Sequence, residues 1–151
     1  MPALSVRHAR SCDLDAMTAL LAELFAIEED FHPDAARQRR GLTLMIEDRL
    51  RRAVLVAEIG GQVVGMVTGQ LLVSTAEGGA TVLVEDMVVT GEVRHRGVGR
   101  ALLRAVEEWA AAHGASRLQL LADRENLPAL RFYEARGWRG TRLVCLRRGG
   151  A

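Results

Sequence analysis

At 151 residues, 49% hydrophobic and 26% charged, the chain holds one globular domain, spanning 1–151, and is neither disordered nor of low complexity. Its net charge of +1 provides no global field toward nucleic acid or an anionic membrane, so an anionic ligand must be held locally. Cys12 and Cys145 lie far apart without metal-ligand spacing, which sets aside zinc and disulfide frameworks and favours a reducing compartment. No basic leader precedes an apolar run and no stretch approaches the ~20 apolar residues of a membrane helix, so no membrane association and a cytoplasmic location are expected.

Leu4 to His8 alternates apolar with polar residues and predicts a first strand. Ser11 is placed to cap the following helix, with Asp13 and Asp15 in its first turn. Leu14, Met17, Leu20, Leu21, Leu24, Phe25 and Ile27 then recur at helical spacing to an end near Asp30. Pro33 suits the first position of a second helix, with Leu42, Met45, Ile46 and Leu50 as its apolar stripe and a break at Gly41. Strands are expected at Ala53–Ile59 and Gln62–Val73, joined by a Gly60-Gly61 hairpin turn. Gly65 and Gly69 within the second of them signal a bulge or a close backbone approach.

Thr81 to Val89 reads as the central strand. Strict alternation puts Val82, Val84 and Val88 on one face and Leu83, Met87 and Val89 on the other, so helices should cover both sides. Glu85 and Asp86 would then project to opposite faces of a strand with no solvent side, and buried carboxylates need a reason. The run Arg94-His95-Arg96-Gly97-Val98-Gly99 opens a third helix, Gly97 to His113, stopped by Gly114. Unpaired N–H groups at such a helix start, with glycines that let an anion approach, make a phosphate cradle.

A crossover of that length makes the next strand, Arg117–Leu121, parallel to the central one. Asn126 caps a fourth helix with Pro128 in its first turn, running to Gly137, and Trp138–Arg147 supplies the last strand or strands. His8, His32, His95 and His113 show no metal or triad spacing, and no metal is expected.

With the Arg94-x-x-Gly97-x-Gly99 turn, Asn126, and the Phe132-Tyr133-Glu134-Ala135-Arg136-Gly137-Trp138 helix end in place, the chain resembles the GNAT superfamily of acyl-CoA-dependent N-acyltransferases along its whole length. The Glu85-Asp86 pair at its distance before the loop is also similar to the spermidine/spermine and glucosamine-phosphate branches. The resemblance implies an α/β GNAT fold: a mixed sheet of six to seven strands, about four flanking helices, and a splay between the fourth and fifth strands.

It further implies that the main chain of His95, Arg96, Gly97, Val98, Gly99 and Arg100 holds the CoA pyrophosphate, after Arg94. Met87, Val88 and Val89 would pair with the pantetheine arm, Met87 N–H facing the thioester oxygen, and Asn126 would contact the cofactor near the same arm. Acetyl-CoA would be the acyl donor and a primary amine the acceptor, attacking directly in a ternary complex. Glu85, desolvated, would be the base and Tyr133, the only tyrosine, the acid. Asp86 would bind the ammonium or share the base's task, and Glu28, Glu29 and Asp30 would favour a cationic acceptor. Small-molecule amines rank ahead of a protein N-terminus or lysine, and a non-catalytic acyl-CoA-binding module is the rival of another class. Dimers are common among the proteins the chain resembles.

Overall fold

The computed structural model describes residues 2–28 and 31–150, so Glu29 and Asp30 lie outside the described residues. Five strands, β1 (Leu4–His8), β2 (Arg52–Ile59), β3 (Gln62–Ser74), β4 (Gly79–Val89) and β5 (Leu118–Leu120), form one sheet in chain order. The first four pair antiparallel, and β5 pairs parallel with β4. Four helices, α1 (Leu14–Ile27), α2 (Ala35–Ile46), α3 (Val98–Ala112) and α4 (Leu127–Glu134), flank it.

Both faces of the sheet carry a core. Val98, Leu102, Leu103, Val106 and Trp109 of α3 close one against Leu55, Val67, Val82 and Val84. Leu14, Met17, Leu20 and Leu21 of α1, with Leu42 of α2, close the other against Val54, Val56, Met66 and Val88. Burial of these side chains, each contributing about 1.5–3 kcal/mol, fixes the helices to the sheet.

The expected glycine contacts are real. A Cβ on Gly69 would stand 2.9 Å from Val106 Cγ2, and one on Gly65 would stand 3.0 Å from Leu102 Cδ1, so α3 rests directly on the β3 backbone. Gly60 and Gly61 turn the β2–β3 hairpin with φ of +58° and +79°.

Several boundaries differ from expectation for local reasons. Ser11 does not cap α1; Asp13 stands at its N-cap, and its buried carboxylate accepts from Arg7 at 2.8 and 2.9 Å and from Arg10 N–H at 2.7 Å. The second helix is capped by Asp34, which accepts from Arg37 N–H at 3.1 Å, so Pro33 lies before the cap. That helix runs through Gly41 without a break, and Leu50 falls beyond its end, 81% exposed.

Two corrections concern the sheet. Residues 139–150 form no strand, so the sheet has five strands rather than six or seven. The strict alternation expected along β4 fails as well, because Met87 and Val89 share the α3 face with Val82 and Val84, while Val88 alone packs toward α1. The cause is a register shift against β3 between Val67 and Gly69: Glu85 and Asp86 together oppose Thr68, and the extra residue reverses the pleat beyond it.

Substituting Gly69 by Ala should cost about 1–3 kcal/mol by overpacking against Val106. Denaturant unfolding would show it as a lower midpoint at unchanged slope, whereas Gly78→Ala, where a Cβ meets nothing within 4 Å but φ is +70°, tests backbone strain without packing.

Candidate active site

The pairing of β5 with β4 ends at Val84 and Leu120, while β4 continues to Val89. From Glu85 onward one side of β4 therefore faces a gap. Thr90 N–H donates to Val64 O at 2.9 Å across β3, so by antiparallel alternation Val88 also turns its main chain to β3, and Met87 and Val89 turn theirs into the gap. Arg94 Nε donates to Val89 O at 3.4 Å from that open side.

Beyond β4 the chain makes a short 3₁₀ turn at Gly91–Val93 and enters the loop before α3. Here His95 has φ +66°, and Gly97, the N-cap of α3, has φ +79°. The left-handed residues reverse the chain so that the first amides of α3 emerge unpaired, with the exposed side chains of Arg94, Arg96 and Arg100 around them. A Cβ on Gly97 would meet nothing within 4 Å, so this glycine is required by its conformation. Gly99 differs: its Cβ would touch the Phe132 ring at 3.4 Å, so it also sets how closely α3 approaches α4.

At the mouth of the gap lies a cleft of about 90 Å³, lined among others by Glu28, Glu85, Met87, Leu120, Asn126 and Tyr133. Asn126 Oδ1 accepts from Ala129 N–H at 3.2 Å, capping α4 as expected. Its carbonyl is thereby occupied, and the amide NH₂ is the group left to donate into the cleft. Tyr133 stands edge-on to Phe132 at 5.3 Å between ring centroids and 5.8 Å from Trp138. Burial, then the charge of Glu28, pushes its hydroxyl up to about 12, so it is protonated at neutral pH.

The two carboxylates of β4 have unlike surroundings. Glu85 lines the cleft and is exposed, contrary to the desolvation expected of it. Asp86 is the half-buried one, beside the cleft rather than in its lining. Burial, then the charges of Glu85 and Glu28, pushes it up to about 7, against the opposing hydrogen bond from Thr68. Thr68, fully buried, accepts from Asp86 N–H at 3.1 Å and donates to Asp86 Oδ2 at 3.4 Å. Sequence reasoning missed Thr68, although a threonine in the apolar run Val67-Thr68-Gly69 of a buried strand is itself a signal. Among the described residues no group of three or more His, Cys, Asp or Glu could hold a metal ion.

An open strand edge, a helix start with outward-facing amides and a cleft lined by carboxylates and a tyrosine thus meet at the splay. Comparison with known proteins makes this specific. The model of the Acetyltransferase (GNAT) family matches residues 15–138, and the chain belongs to this family of N-acetyltransferases. It is 29% identical to an aminoalkylphosphonate N-acetyltransferase of Salmonella typhimurium, over 92% of this chain and 87% of that one. It is 26% identical to an uncharacterized N-acetyltransferase, YhfO, of Bacillus subtilis, over 89% of each. Among solved structures, the aminoglycoside N-acetyltransferase AAC(6')-Iy in complex with CoA superposes with a TM-score of 0.84 at 18% identity, covering 100% of this chain and 97% of that one. A transcriptional regulator from Bacillus halodurans gives 0.86 at 23% identity, covering 97% and 100%.

The raised Asp86 carboxyl has a consequence for stability. The folded protein holds this proton more tightly than the unfolded chain does, so stability falls as pH rises from about 4 to 7 and the cost is complete above 7. Full expression would be about 4 kcal/mol, reduced by partial solvation. Asp86→Asn should therefore raise the melting temperature by several degrees at about pH 8.5 and by little at about pH 4, read by calorimetry.

Proposed function

We propose that the protein transfers an acetyl group from acetyl-CoA to the primary amine of a small cationic molecule, by direct attack in a ternary complex. The observation that carries this reading is the meeting of Glu85, Glu28 and Tyr133 in one cleft, at the point where β4 loses its partner strand and its main chain becomes available.

On this reading the amides from His95 to Arg100 hold the pyrophosphate, with Arg94, Arg96 and Arg100 supplying positive charge around it. The open main chain of Met87 and Val89 pairs with the pantetheine arm, while Val88 stays bonded within the sheet. Asn126 donates its amide to the same arm. The thioester supplies an activated acyl group, and Met87 N–H is the fixed donor for charge developing on its oxygen.

An ordinary primary amine of pKa about 10.4 loses its proton at a cost of about 5 kcal/mol at pH 7. Glu85 receives that proton in the cleft, directly or through a water, with Asp86 tuned near neutrality behind it. Tyr133, held protonated, returns a proton to the departing thiolate. Cys12 and Cys145 are exposed and neither lines the cleft, so neither thiol is placed for an acyl-enzyme, which supports direct attack.

The acceptor class follows from charge. The charges of Glu85 and Glu28 both act on Asp86 beside the cleft, and a cation relieves that repulsion whereas an added anion increases it. The name of the Salmonella relative specifies an acceptor bearing a phosphonate, and the name of AAC(6')-Iy specifies an aminoglycoside, a polyamine sugar. The three carboxylates favour a diamine or amino sugar over an aminoalkylphosphonate here. A protein N-terminus or lysine is the second candidate.

Titration calorimetry with acetyl-CoA, then release of free thiol with a diamine, an amino sugar, an aminoalkylphosphonate and a lysine peptide, tests the reading. Binding with fastest release from the polycationic amines is expected. Tyr133→Phe and Glu85→Gln should each lower kcat by about 10²-fold or more while leaving acetyl-CoA affinity within a few-fold. Binding without release from any amine would favour an acyl-CoA-binding module, and absence of binding would remove the reading of the loop before α3.

The pH profile offers a separate check. Thiol release should rise through about pH 7 as the carboxylate cluster loses its proton, and the limb should move in Asp86→Asn. Thr68→Val removes the hydrogen bond that favours the ionised Asp86, so its limb should shift to higher pH.

A further inference from the structure

A second recess, larger than the active-site cleft, opens on the other side of β4 from β5. It measures about 530 Å³ and shares no residue with the cleft of about 90 Å³. Leu4 of β1, Ile59 and Gln62 on either side of the β2–β3 turn, and Val64 of β3 line it, together with Val93 and Arg96 from the chain between β4 and α3. A space of this size lies within the range of about 300–1,000 Å³ that small-molecule sites occupy.

The chemistry of the recess is one-sided. Leu4, Ile59 and Val93 pack against the α3-side core yet stay only partly buried, while Val64 is buried, so the walls are apolar and incompletely covered. Arg96 is the one charged side chain in the lining, and Gln62 adds an amide donor. Arg96 is exposed, and among the described residues it pairs with no carboxylate. A matching ligand has an apolar body and a single negative charge. A second anionic group would find no cation, and an ammonium would meet only the guanidinium. A carboxylate suits the planar donor fork of arginine.

Two hydrogen bonds join the recess to the loop before α3. Thr90 N–H donates to Val64 O at 2.9 Å, and Val93 N–H donates to Thr90 O at 3.2 Å. Three residues further on, Arg96 stands between His95 and Gly97, whose left-handed conformations turn the chain. Arg96 therefore belongs to two places: it is one of three arginines around the outward-facing amides, and the only cation of the recess.

We propose that the recess is an inhibitory effector site for a small apolar monocarboxylate, which pairs with Arg96 and withdraws that cation from acetyl-CoA. The proposal rests on reading the loop before α3 as the pyrophosphate cradle. One guanidinium cannot give the same donors to a carboxylate and to a pyrophosphate, so each ligand weakens the other, by the same factor in both directions. Arg94, Arg100 and the loop amides remain in place, so the inhibition is partial and reaches a plateau.

Hexanoate and phenylacetate are the probes, with hexanamide and phenylacetamide as their uncharged counterparts. Without acetyl-CoA, the acids should shift the Leu4, Gln62, Val64 and Val93 amide signals saturably in nitrogen–proton correlation spectra, and the amides should not. By titration calorimetry, saturating acid should weaken acetyl-CoA binding by at least about fivefold and no further. Gln62→Trp, which fills the recess from an exposed position, should keep the basal affinity for acetyl-CoA and lose the effect of the acids. Arg96→Gln should bind acetyl-CoA more weakly from the start and respond to neither acid. Weakening without a plateau would put the acid on the cradle itself and overturn the proposal, as would equal binding of the amides or an effect that survives Gln62→Trp. Normal acetyl-CoA binding with no acid binding overturns the effector site alone. Absence of acetyl-CoA binding overturns the reading of the loop, and the inhibition with it, even where the acids still shift these signals.

Discussion

The structure depends on one irregularity, the β-bulge at which Glu85 and Asp86 face the single residue Thr68. Without it β4 would continue the pleat set by Val82 and Val84, and Met87 and Val89 would turn away from α3. With it, the two halves of the strand have opposite parity, and two consecutive carboxylates sit where the ladder is interrupted. Thr68 closes the interruption: its hydroxyl takes the Asp86 N–H that β3 would otherwise bond, so the buried bulge leaves no orphaned donor there. Bulges re-aim side chains that a regular pleat would bury, and here the re-aimed group is Glu85, which lines the cleft.

The same stretch of β4 loses its other neighbour one residue before the bulge, at Val84. Irregularity on the β3 side and an open edge on the β5 side thus coincide, and the central strand changes at one point from a core element to one with a free main-chain edge. The loop that follows continues the change. His95 accepts a left-handed conformation that disfavours any side chain, at a cost of order 1 kcal/mol, and Gly97 repeats it without that cost. Strain is held where amides must point outward, while α3 behind the loop is anchored by direct contact with the glycines of β3.

Much of this was legible in the sequence, and the rest was not for definite reasons. Helix stripes, the Gly60-Gly61 hairpin, the Asn126 cap and the parallel crossover to β5 are local patterns, and local patterns survive folding. The bulge is a relation between two strands. Gly69 hinted at it, but only the partner register shows that Glu85 and Asp86 share one opposing residue, and hence that Asp86, not Glu85, is the desolvated carboxylate. The Asp13 carboxylate likewise reads as a helix-start charge until Arg7, on the neighbouring strand, claims it. The last strand or strands expected over Trp138–Arg147 do not form, because strand composition marks a preference whereas a strand needs a partner edge that no local pattern names.

Two ionic arrangements of opposite sign show how the chain divides stability from function. Arg7, Asp13 and Glu58 form a complete network in which the guanidinium answers both carboxylates, at 2.8 and 2.9 Å, and hydrogen bonding to Arg7 holds Asp13 below its usual range. Its contribution is present above about pH 4 and fades as pH falls through the lowered Asp13 value. Glu28, Glu85 and Asp86 form the opposite case: like charges gathered around a cleft, with burial added, so that Asp86 rises to about 7 instead of falling. The fold tolerates this repulsion because the first network and two cores stabilise it elsewhere. On the proposed reading an arriving ammonium would lower the repulsion and draw Asp86 toward ionisation, coupling acceptor binding to readiness of the site to take a proton.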